Sequence, residues 1–214
     1  MSNLDYKFSY RRQLPHIQPK GSTLFLTFRL AGSIPQSVLD TLTEQKQAIE
    51  KQLKKVANID KQKVDRYKEQ RRQFGRYDSY LDNATQGPMW LKNEKIAELV
   101  VDAMHHRDGQ MYRLDAFCIM SNHVHMVFAP LKKVNETYYS LSRIMYSLKR
   151  YTAIEANKIL GRSGKSFWQS ESFDHVVRDQ DEWHRIINYV LNNPVKAGVV
   201  NRWDEWPWSY CKYL

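Results

Sequence analysis

Two adjacent predicted strands decide the fold of this 214-residue chain. Residues 111–130 read MYRLDAFCIMSNHVHMVFAP. The apolar stretches in this segment predict one strand over 111–119 and another over 123–129. Pro130 ends the second strand, because proline has no backbone N–H to donate to a sheet.

The elements on either side complete a recognisable order. A strand is predicted over 22–30, since its leucines and phenylalanine recur at every second position. Further elements are a helix over 93–106 capped by Asn93, a helix over 136–160 capped by Asn135, a strand over 171–178 and a helix over 181–191. Without the segment between the first strand and the first helix, the order is β-α-β-β-α-β plus a C-terminal helix. This is the ferredoxin-like order, so we predict an α+β fold with one antiparallel four-stranded sheet.

The domain organisation follows from this order. We expect a single domain over 1–214, with a helical insertion over 36–90 and an aromatic-rich tail over 194–214. Between residues 44 and 76 there are eleven Lys or Arg against five Asp or Glu, so this part of the insertion carries +6. Either it is an arm that follows a phosphate backbone or it is an ordinary solvated helix surface.

Composition narrows the class of protein. With 42% hydrophobic and 26% charged residues the chain can build a core, so disordered and fibrous classes are excluded. The net charge of +10 favours a polyanionic partner, either nucleic acid or an anionic membrane surface. No apolar run reaches the roughly 18 residues of a membrane span, and residues 1–20 lack the apolar core of a signal peptide. We therefore expect a cytoplasmic protein without a membrane partner.

The most informative short motif is His123-Val124-His125. Positions i and i+2 of a strand point to the same side, so both imidazoles project together. Two imidazoles on one face make most of a divalent metal site. The alternative is a pair of half-buried polar side chains at the start of a strand.

The helix that follows offers further candidates. Tyr151 and Glu155 are four residues apart and share one helix face. If that face meets the sheet at the histidines, Glu155 is a third metal ligand and Tyr151 a nucleophile. Alternatively, Tyr151 borders the helix core, and Glu155 is a solvated carboxylate paired with Lys158.

Basic side chains surround this tyrosine and suit a phosphodiester substrate. The candidates for contact with DNA are Lys149, Arg150, Lys158, Arg162 and Lys165. A solvated basic helix surface would look the same. Residues 161–166 read GRSGKS and look like a phosphate loop, but the glycine that the motif needs is replaced by Ile159. We therefore predict no nucleoside triphosphate site.

At this point the sequence resembles a known family, the REP-associated tyrosine transposases of bacteria, within the single-tyrosine HUH transposases. REP denotes repetitive extragenic palindromes. The segment 121–127 resembles the His-hydrophobe-His motif of that family, and 147–157 resembles its tyrosine helix. Five further segments fit: Phe167–Gln169, Phe173–His175, Asn193–Gly198, Gly87–Leu91 and Trp206–Ser209.

This resemblance implies an endonuclease that acts on single-stranded DNA. It implies Mg²⁺ or Mn²⁺ held by the two histidines and a third polar residue of the tyrosine helix, for which helical spacing selects Glu155 before Asn157. It also implies recognition of palindromic hairpins, cleavage near the hairpin foot and rejoining through a 5′-phosphotyrosine intermediate. Related transposases supply the tyrosine in cis or from a partner subunit, so both monomer and homodimer stay open.

Two other functions compete with this one. The first is a hairpin-DNA- or RNA-binding protein without catalysis, in which the histidines are structural. The second is a metal-dependent phosphoesterase of small molecules, which the basic arm disfavours. A covalent tyrosine adduct would separate all three.

Overall fold

The computed structural model describes residues 21–55, 57–84 and 86–214. The segment 1–20, in which the sequence predicts no signal peptide, lies outside these residues. The described chain divides into two compact units. We call residues 21–31 with 89–214 the sheet unit and residues 32–88 the insertion unit.

One antiparallel sheet organises the sheet unit. Its strands are β1 Leu24–Leu30, β2 Tyr112–Ile119, β3 His123–Pro130, β4 Trp168–Val176 and β5 Ser209–Cys211. They lie in the order β4-β1-β3-β2-β5, and every neighbouring pair is antiparallel. The predicted α+β, ferredoxin-like fold is confirmed. The predicted number of strands, four, is corrected to five, because a short strand from the tail pairs with β2, although the sequence of the tail shows no clear period.

Six α-helices are found among the described residues. Their bounds are α1 Gln36–Leu53, α2 Ile59–Asp82, α3 Glu94–Arg107, α4 Leu141–Ile159, α5 Gln180–Leu191 and α6 Asn193–Lys196. The first two form the insertion unit, and the other four belong to the sheet unit. None of the helices in the described part of the chain has the length and apolar character needed to cross a bilayer.

The core of the sheet unit lies between one face of the sheet and the helices α3 and α4. Every second residue of β1 and β3 points into it, including Leu26, Met126 and Phe128, which are all fully buried. From the helices, Val100 and Leu148 join the same cluster. Burying these side chains removes apolar surface from water, which holds both helices on this face. We call it the core face.

The C-terminal helices lie on the other face of the sheet. There, Tyr189 of α5 packs its ring edge-on against Phe25 of β1, with ring centres 6.0 Å apart. Trp183, near the start of α5, donates from Nε1 to Asp115 Oδ2 at 3.0 Å, which fixes the helix to β2. We call this side the α5 face.

Of the two predicted helix caps, one is confirmed and one is wrong. Asn93 caps α3, because its side chain accepts from the backbone N–H of Lys95 at 3.1 Å. The predicted cap at Asn135 is wrong. α4 begins at Leu141 with Ser140 as its cap. Glu136 has a φ of 60°, which a right-handed helix does not allow, so residues 134–136 form a turn, and an antiparallel bridge between Lys132 and Tyr138 closes it.

The insertion unit is a helical hairpin. α1 and α2 are joined by a short turn, which is tied where Gln62 Nε2 donates to the carbonyl of Leu53 at 2.8 Å. Asn58 caps α2 by accepting from the backbone N–H of Lys61 at 2.9 Å. The two helices agree with the helical periodicity predicted for this segment.

Candidate active site

The two histidines of β3 lie on the α5 face. Side chains alternate along a strand, so Val124 and Met126 point into the core while His123 and His125 point the other way. In the register of the sheet, His125 lies opposite Thr27 of β1. Both imidazoles are fully buried.

The histidine side chains meet at one pair of nitrogen atoms. Nε2 of His123 lies 3.0 Å from Nε2 of His125. The other nitrogen of each ring faces a protein oxygen: Nδ1 of His123 is 2.6 Å from Asn122 Oδ1, and Nδ1 of His125 is 2.8 Å from Thr27 Oγ1. Because an amide oxygen only accepts, Nδ1 of His123 carries the hydrogen and Nε2 presents its lone pair. Such outer contacts orient histidines that bind metals.

Burial keeps both rings neutral. Together with a smaller contribution from the positive charge of Lys196, it lowers the pKa of His123 to about 3. Burial also lowers the pKa of His125 well below its usual value, with smaller contributions from His123 and Lys196. A neutral imidazole is the form that coordinates a metal ion, so this pair can bind one at neutral pH without first losing protons.

The junction of α5 and α6 completes the cluster. Nδ2 of Asn193 lies 3.2 Å from Nε2 of His125. The Asn193 side chain is buried, and its Oδ1 has no hydrogen-bond partner among the described residues. One helical turn earlier, the ring of Tyr189 packs edge-on against His125, with ring centres 5.5 Å apart. Tyr189 is only partly buried. The arrangement therefore places a phenol beside two imidazoles and an amide.

This donor set suits a divalent metal. Two ligand atoms held at about 2.1 Å from one ion and at right angles lie about 3.0 Å apart, and His123 and His125 show that spacing between their Nε2 atoms. If the Asn193 side-chain amide is rotated by half a turn, its nitrogen and its unpartnered oxygen exchange places. The oxygen would then lie beside the two Nε2 atoms. Three protein ligands leave coordination positions for water or substrate, which is the mark of a catalytic rather than a structural site.

The structure does not bring Tyr151 and Glu155 to the histidines, contrary to the expectation from helical spacing. Both belong to α4, which covers the core face, whereas the histidines point to the α5 face. The Tyr151 ring lies 5.5 Å from the guanidinium of Arg107 on α3 and is about half exposed. Glu155 forms an ion pair with Lys158 at 2.8 Å. The second candidate ligand, Asn157, is also on α4 and donates to the carbonyl of Lys165 at 2.7 Å.

The basic residues predicted to contact DNA lie on α4 and the loop after it. Lys149 Nζ binds oxygens at the start of β4, including Ser172 Oγ at 2.7 Å, so it holds that strand in place. The guanidinium of Arg162 covers the Trp90 ring at 3.8 Å. Arg150, Lys158 and Lys165 are exposed. The contact of these five residues with DNA stays a prediction.

Sequence reasoning missed Tyr189 and Asn193 as site residues, although a signal for them exists. They have the same i, i+4 spacing as Tyr151 and Glu155. The deciding clue is the apolar alternation of β3. Val124, Met126 and Phe128 must face the two crossover helices, so the histidines must face whatever helix covers the other side.

Comparisons with known proteins agree with this arrangement. Residues 91–193 match the family described as "Transposase IS200 like". The matched segment contains both histidines and ends at Asn193. The resemblance to REP-associated tyrosine transposases is confirmed.

Two relatives from bacteria carry this family name. One, from Haemophilus influenzae and assigned to the REP-associated tyrosine transposases, is 29% identical over 101 residues, which is 44% of this chain and 56% of the relative. The REP-associated tyrosine transposase of Escherichia coli K12 is 22% identical over 98 residues, 46% of this chain and 53% of the relative. The chain thus spans about half the length of the curated relatives it matches.

A solved structure shares the fold. It is a REP-associated tyrosine transposase bound to a REP hairpin, and it matches 95% of this chain and 82% of its own chain with a TM-score of 0.50. The sequence identity is 16%. At that identity the match supports the α+β architecture and leaves the roles of individual residues to the geometry of the site.

Proposed function

We propose that this chain is a metal-dependent endonuclease and strand transferase that acts on single-stranded DNA beside palindromic hairpins, with Tyr189 as its nucleophile. One observation carries the proposal: Tyr189 and Asn193 share one side of the C-terminal helical segment and both meet His125. A tyrosine beside a divalent metal site is the minimum needed for covalent phosphodiester cleavage.

The proposed metal ligands are His123, His125 and Asn193, and the proposed ion is Mg²⁺ or Mn²⁺. When bound, the ion polarises the scissile phosphate and offsets the charge that builds on its oxygens. The chain's own contribution is to hold the three ligands in place. Asn122 and Thr27 fix the two imidazole rings from behind, so the Nε2 lone pairs converge without reorganisation.

Tyr189 supplies the covalent step. Its oxygen attacks phosphorus in line with the leaving 3′ oxygen; the phosphorus–tyrosine bond forms and the bond to the 3′ oxygen breaks. The phenol proton is lost to water, and the leaving oxygen takes up a proton to become a 3′-OH. The product is a 5′-phosphotyrosine, which keeps the energy of the phosphodiester. A 3′-OH can therefore reverse the step and rejoin strands without nucleoside triphosphate.

Lys196 adds positive charge at the same place. Its Nζ lies 5.8 Å from the centre of the Tyr189 ring, and its charge is felt by both histidines. An ammonium here would contact a non-bridging oxygen of the scissile phosphate and offset negative charge during attack. The lysine follows Asn193 by three residues, so the short helix α6 places both groups in one site.

The DNA preference rests on charge and on the relatives. A net charge of +10 suits a polyanionic substrate. The solved structure that shares this fold is bound to a REP hairpin. We therefore propose that the substrate of this chain is a single strand of DNA that contains a hairpin.

The test is a covalent adduct assay. Hairpin oligonucleotides from palindromes flanking the gene are incubated with the protein in Mg²⁺ or Mn²⁺ and run on a denaturing gel. We expect a 3′ label to move with the protein and a 5′ label to be released, because a 5′-phosphotyrosine retains the 3′ fragment. Tyr189→Phe should remove the adduct and leave hairpin binding intact.

Tyr151→Phe is the matched control, since it deletes the same hydroxyl on the opposite face of the sheet. It should form the adduct at the wild-type level. If Tyr151→Phe loses the adduct and Tyr189→Phe keeps it, the proposed nucleophile is wrong. Tight hairpin binding by the wild type with no adduct under any metal would favour the binding protein without catalysis.

A further inference from the structure

The charges of the insertion unit are unevenly distributed along the helical hairpin. Residues 51–68, which include the end of α1, the turn and the first part of α2, contain seven Lys or Arg and two Asp or Glu. We call this segment the basic tip. It therefore carries +5, half of the net charge of the whole chain.

Ion pairing separates the tip from the rest of the hairpin. Outside the tip, Arg76 is bound to Glu69 at 2.6 Å and Arg72 approaches the same carboxylate at 3.9 Å. Arg66 in the tip pairs with Glu50 at 3.7 Å. Five lysines of the tip are exposed and, among the described residues, make no ion pair: Lys51, Lys54, Lys55, Lys61 and Lys68. Their charge is therefore available to an external anion.

We propose that the basic tip binds the phosphate backbone of the duplex stem of the DNA hairpin. The proposal rests on the proposed function, because that function supplies a substrate with a stem. Backbone contact by lysine needs no particular base and gives affinity rather than sequence preference. The tip thus contributes to binding, whereas the site on the α5 face performs the chemistry.

The side chains of the tip favour duplex over single strand. Proteins that bind single strands without sequence preference pair a basic groove with aromatic rings on which bases stack. In the described part of the tip no aromatic side chain is exposed; Tyr67 is partly buried and lies beside the guanidinium of Arg71, 5.9 Å from it. Lysines without stacking rings fit a backbone whose bases are already paired.

The dimensions also fit a stem. α1 has 18 residues, so the hairpin is about 27 Å long at about 1.5 Å per residue. Lys61 and Lys68 both belong to α2 and are seven residues apart, which separates them by about 10 Å along the helix axis. A duplex presents a phosphate about every 3.4 Å along each strand, so several lysines can meet phosphates of one stem together.

The experiment compares two triple variants with equal charge. Lys54→Gln, Lys55→Gln and Lys61→Gln remove three positive charges from the tip, while Lys132→Gln, Lys133→Gln and Lys212→Gln remove the same charge from the sheet unit. Binding to a fluorescent DNA hairpin is measured by anisotropy over a series of salt concentrations. A matched single strand that cannot form a stem is the second ligand, and circular dichroism confirms that both variants keep their helices.

We expect the tip variant to lower the slope of log K against log salt by about 2.7 for the hairpin, since each lost phosphate contact contributes about 0.9. The ratio of hairpin to single-strand affinity should fall with it. The control variant should keep the wild-type slope. An unchanged slope in the tip variant, or equal changes in both variants, would overturn the proposal. So would tip-dependent binding to anionic lipid vesicles combined with tip-independent binding to DNA.

Failure of this inference is distinguishable from failure of the proposed function. If the wild type forms no tyrosine adduct but the tip variant loses the hairpin preference, the catalytic proposal fails and the stem surface stands. If the adduct forms through Tyr189 and the tip variant binds hairpins with the wild-type slope, the stem surface is wrong and the catalytic proposal stands.

Discussion

Both faces of the sheet are covered by helices, but the side chains that they bury differ in chemistry. On the core face, α3 and α4 cover a dry layer of leucine, valine, methionine and phenylalanine side chains from β1 and β3. On the α5 face, the same strands present Thr27, His123 and His125, which are buried and polar. The helical segment that covers each face carries a tyrosine and a polar residue four positions later: Tyr151 and Glu155 in α4, and Tyr189 in α5 with Asn193 at the start of α6. Only the pair on the α5 face meets the histidines.

The difference shows that spacing within a helix is not enough to place a site. Tyr151 with Glu155 and Tyr189 with Asn193 are equivalent as helical patterns. The two pairs differ in which face of the sheet their helix covers. Neighbouring side chains of β3 point to opposite faces, so the histidines can meet only one of the two pairs. Substitutions at matched positions on the two faces should therefore have different effects.

The core face should dominate stability. Phe128 is fully buried, with its ring centre 5.1 Å from that of Tyr112. Phe128→Ala should lower the free energy of unfolding by about 3–5 kcal/mol, because it leaves a cavity that the sheet cannot fill. The measurement is urea unfolding followed by circular dichroism. Tyr151→Phe, at a half-exposed position, should stay within about 0.5 kcal/mol of the wild type. A loss below about 1 kcal/mol for Phe128→Ala would contradict a dry core there.

The third metal ligand gives the next largest effect. Asn193→Ala should weaken Mn²⁺ binding by more than about 100-fold, the upper range for removing only a supporting contact. Free Mn²⁺ can be measured by electron paramagnetic resonance without any DNA. Glu155→Gln and Asn157→Ala, on the core-face helix, should bind Mn²⁺ as the wild type does. If Glu155→Gln lost affinity for Mn²⁺ and Asn193→Ala did not, the third ligand would be Glu155 of α4 and the assignment of Asn193 would be wrong.

Much of the fold could be predicted from the sequence because its signals are local. Alternation of apolar residues gives β1, β2 and β3, and Asn93 marks the start of α3. The start of α4 could not be placed in the same way. Asn135 has the residue type of a cap, but its side chain accepts from Thr137 and stabilises the turn that precedes the helix. Asparagine is suited both to capping a helix and to stabilising a turn, so its residue type does not decide between the two roles. The positive φ of the neighbouring Glu136 decides for the turn.

The candidate site could be predicted in part. The His-x-His spacing gives two side chains on one face, and this follows from strand geometry alone. The rest depends on contacts between residues far apart in sequence. Thr27 and Asn193 reach His125 from positions 98 and 68 residues away. The tail strand β5 depends likewise on pairing with the distant β2, which is why its three residues show no period of their own.

A smaller effect should follow from the support behind the histidines. Thr27→Val removes the oxygen that faces His125 Nδ1 while keeping the shape of the side chain. We expect Mn²⁺ affinity to fall about 10-fold, because the ring loses the contact that orients it. Thr152→Val is a matched control on the core face, where the hydroxyl accepts from Trp168 Nε1 at 2.8 Å. That variant should lose stability and keep its affinity for Mn²⁺. Equal affinities for all three proteins would show that Thr27 does not orient the ring.

An effect of similar size concerns Lys196. Lys196→Gln should slow single-turnover adduct formation about 10-fold, as expected for a lost charge-assisted contact with phosphate. Hairpin affinity should change little, because one of many cationic contacts is removed. Lys196→Arg should recover most of the rate, since the positive charge is kept. Lys158→Gln, whose ammonium pairs with Glu155 on the core-face helix, should react as the wild type does. If Lys196→Gln weakens binding and leaves the rate of bound complexes unchanged, the lysine belongs to the DNA-binding surface and not to the reacting phosphate.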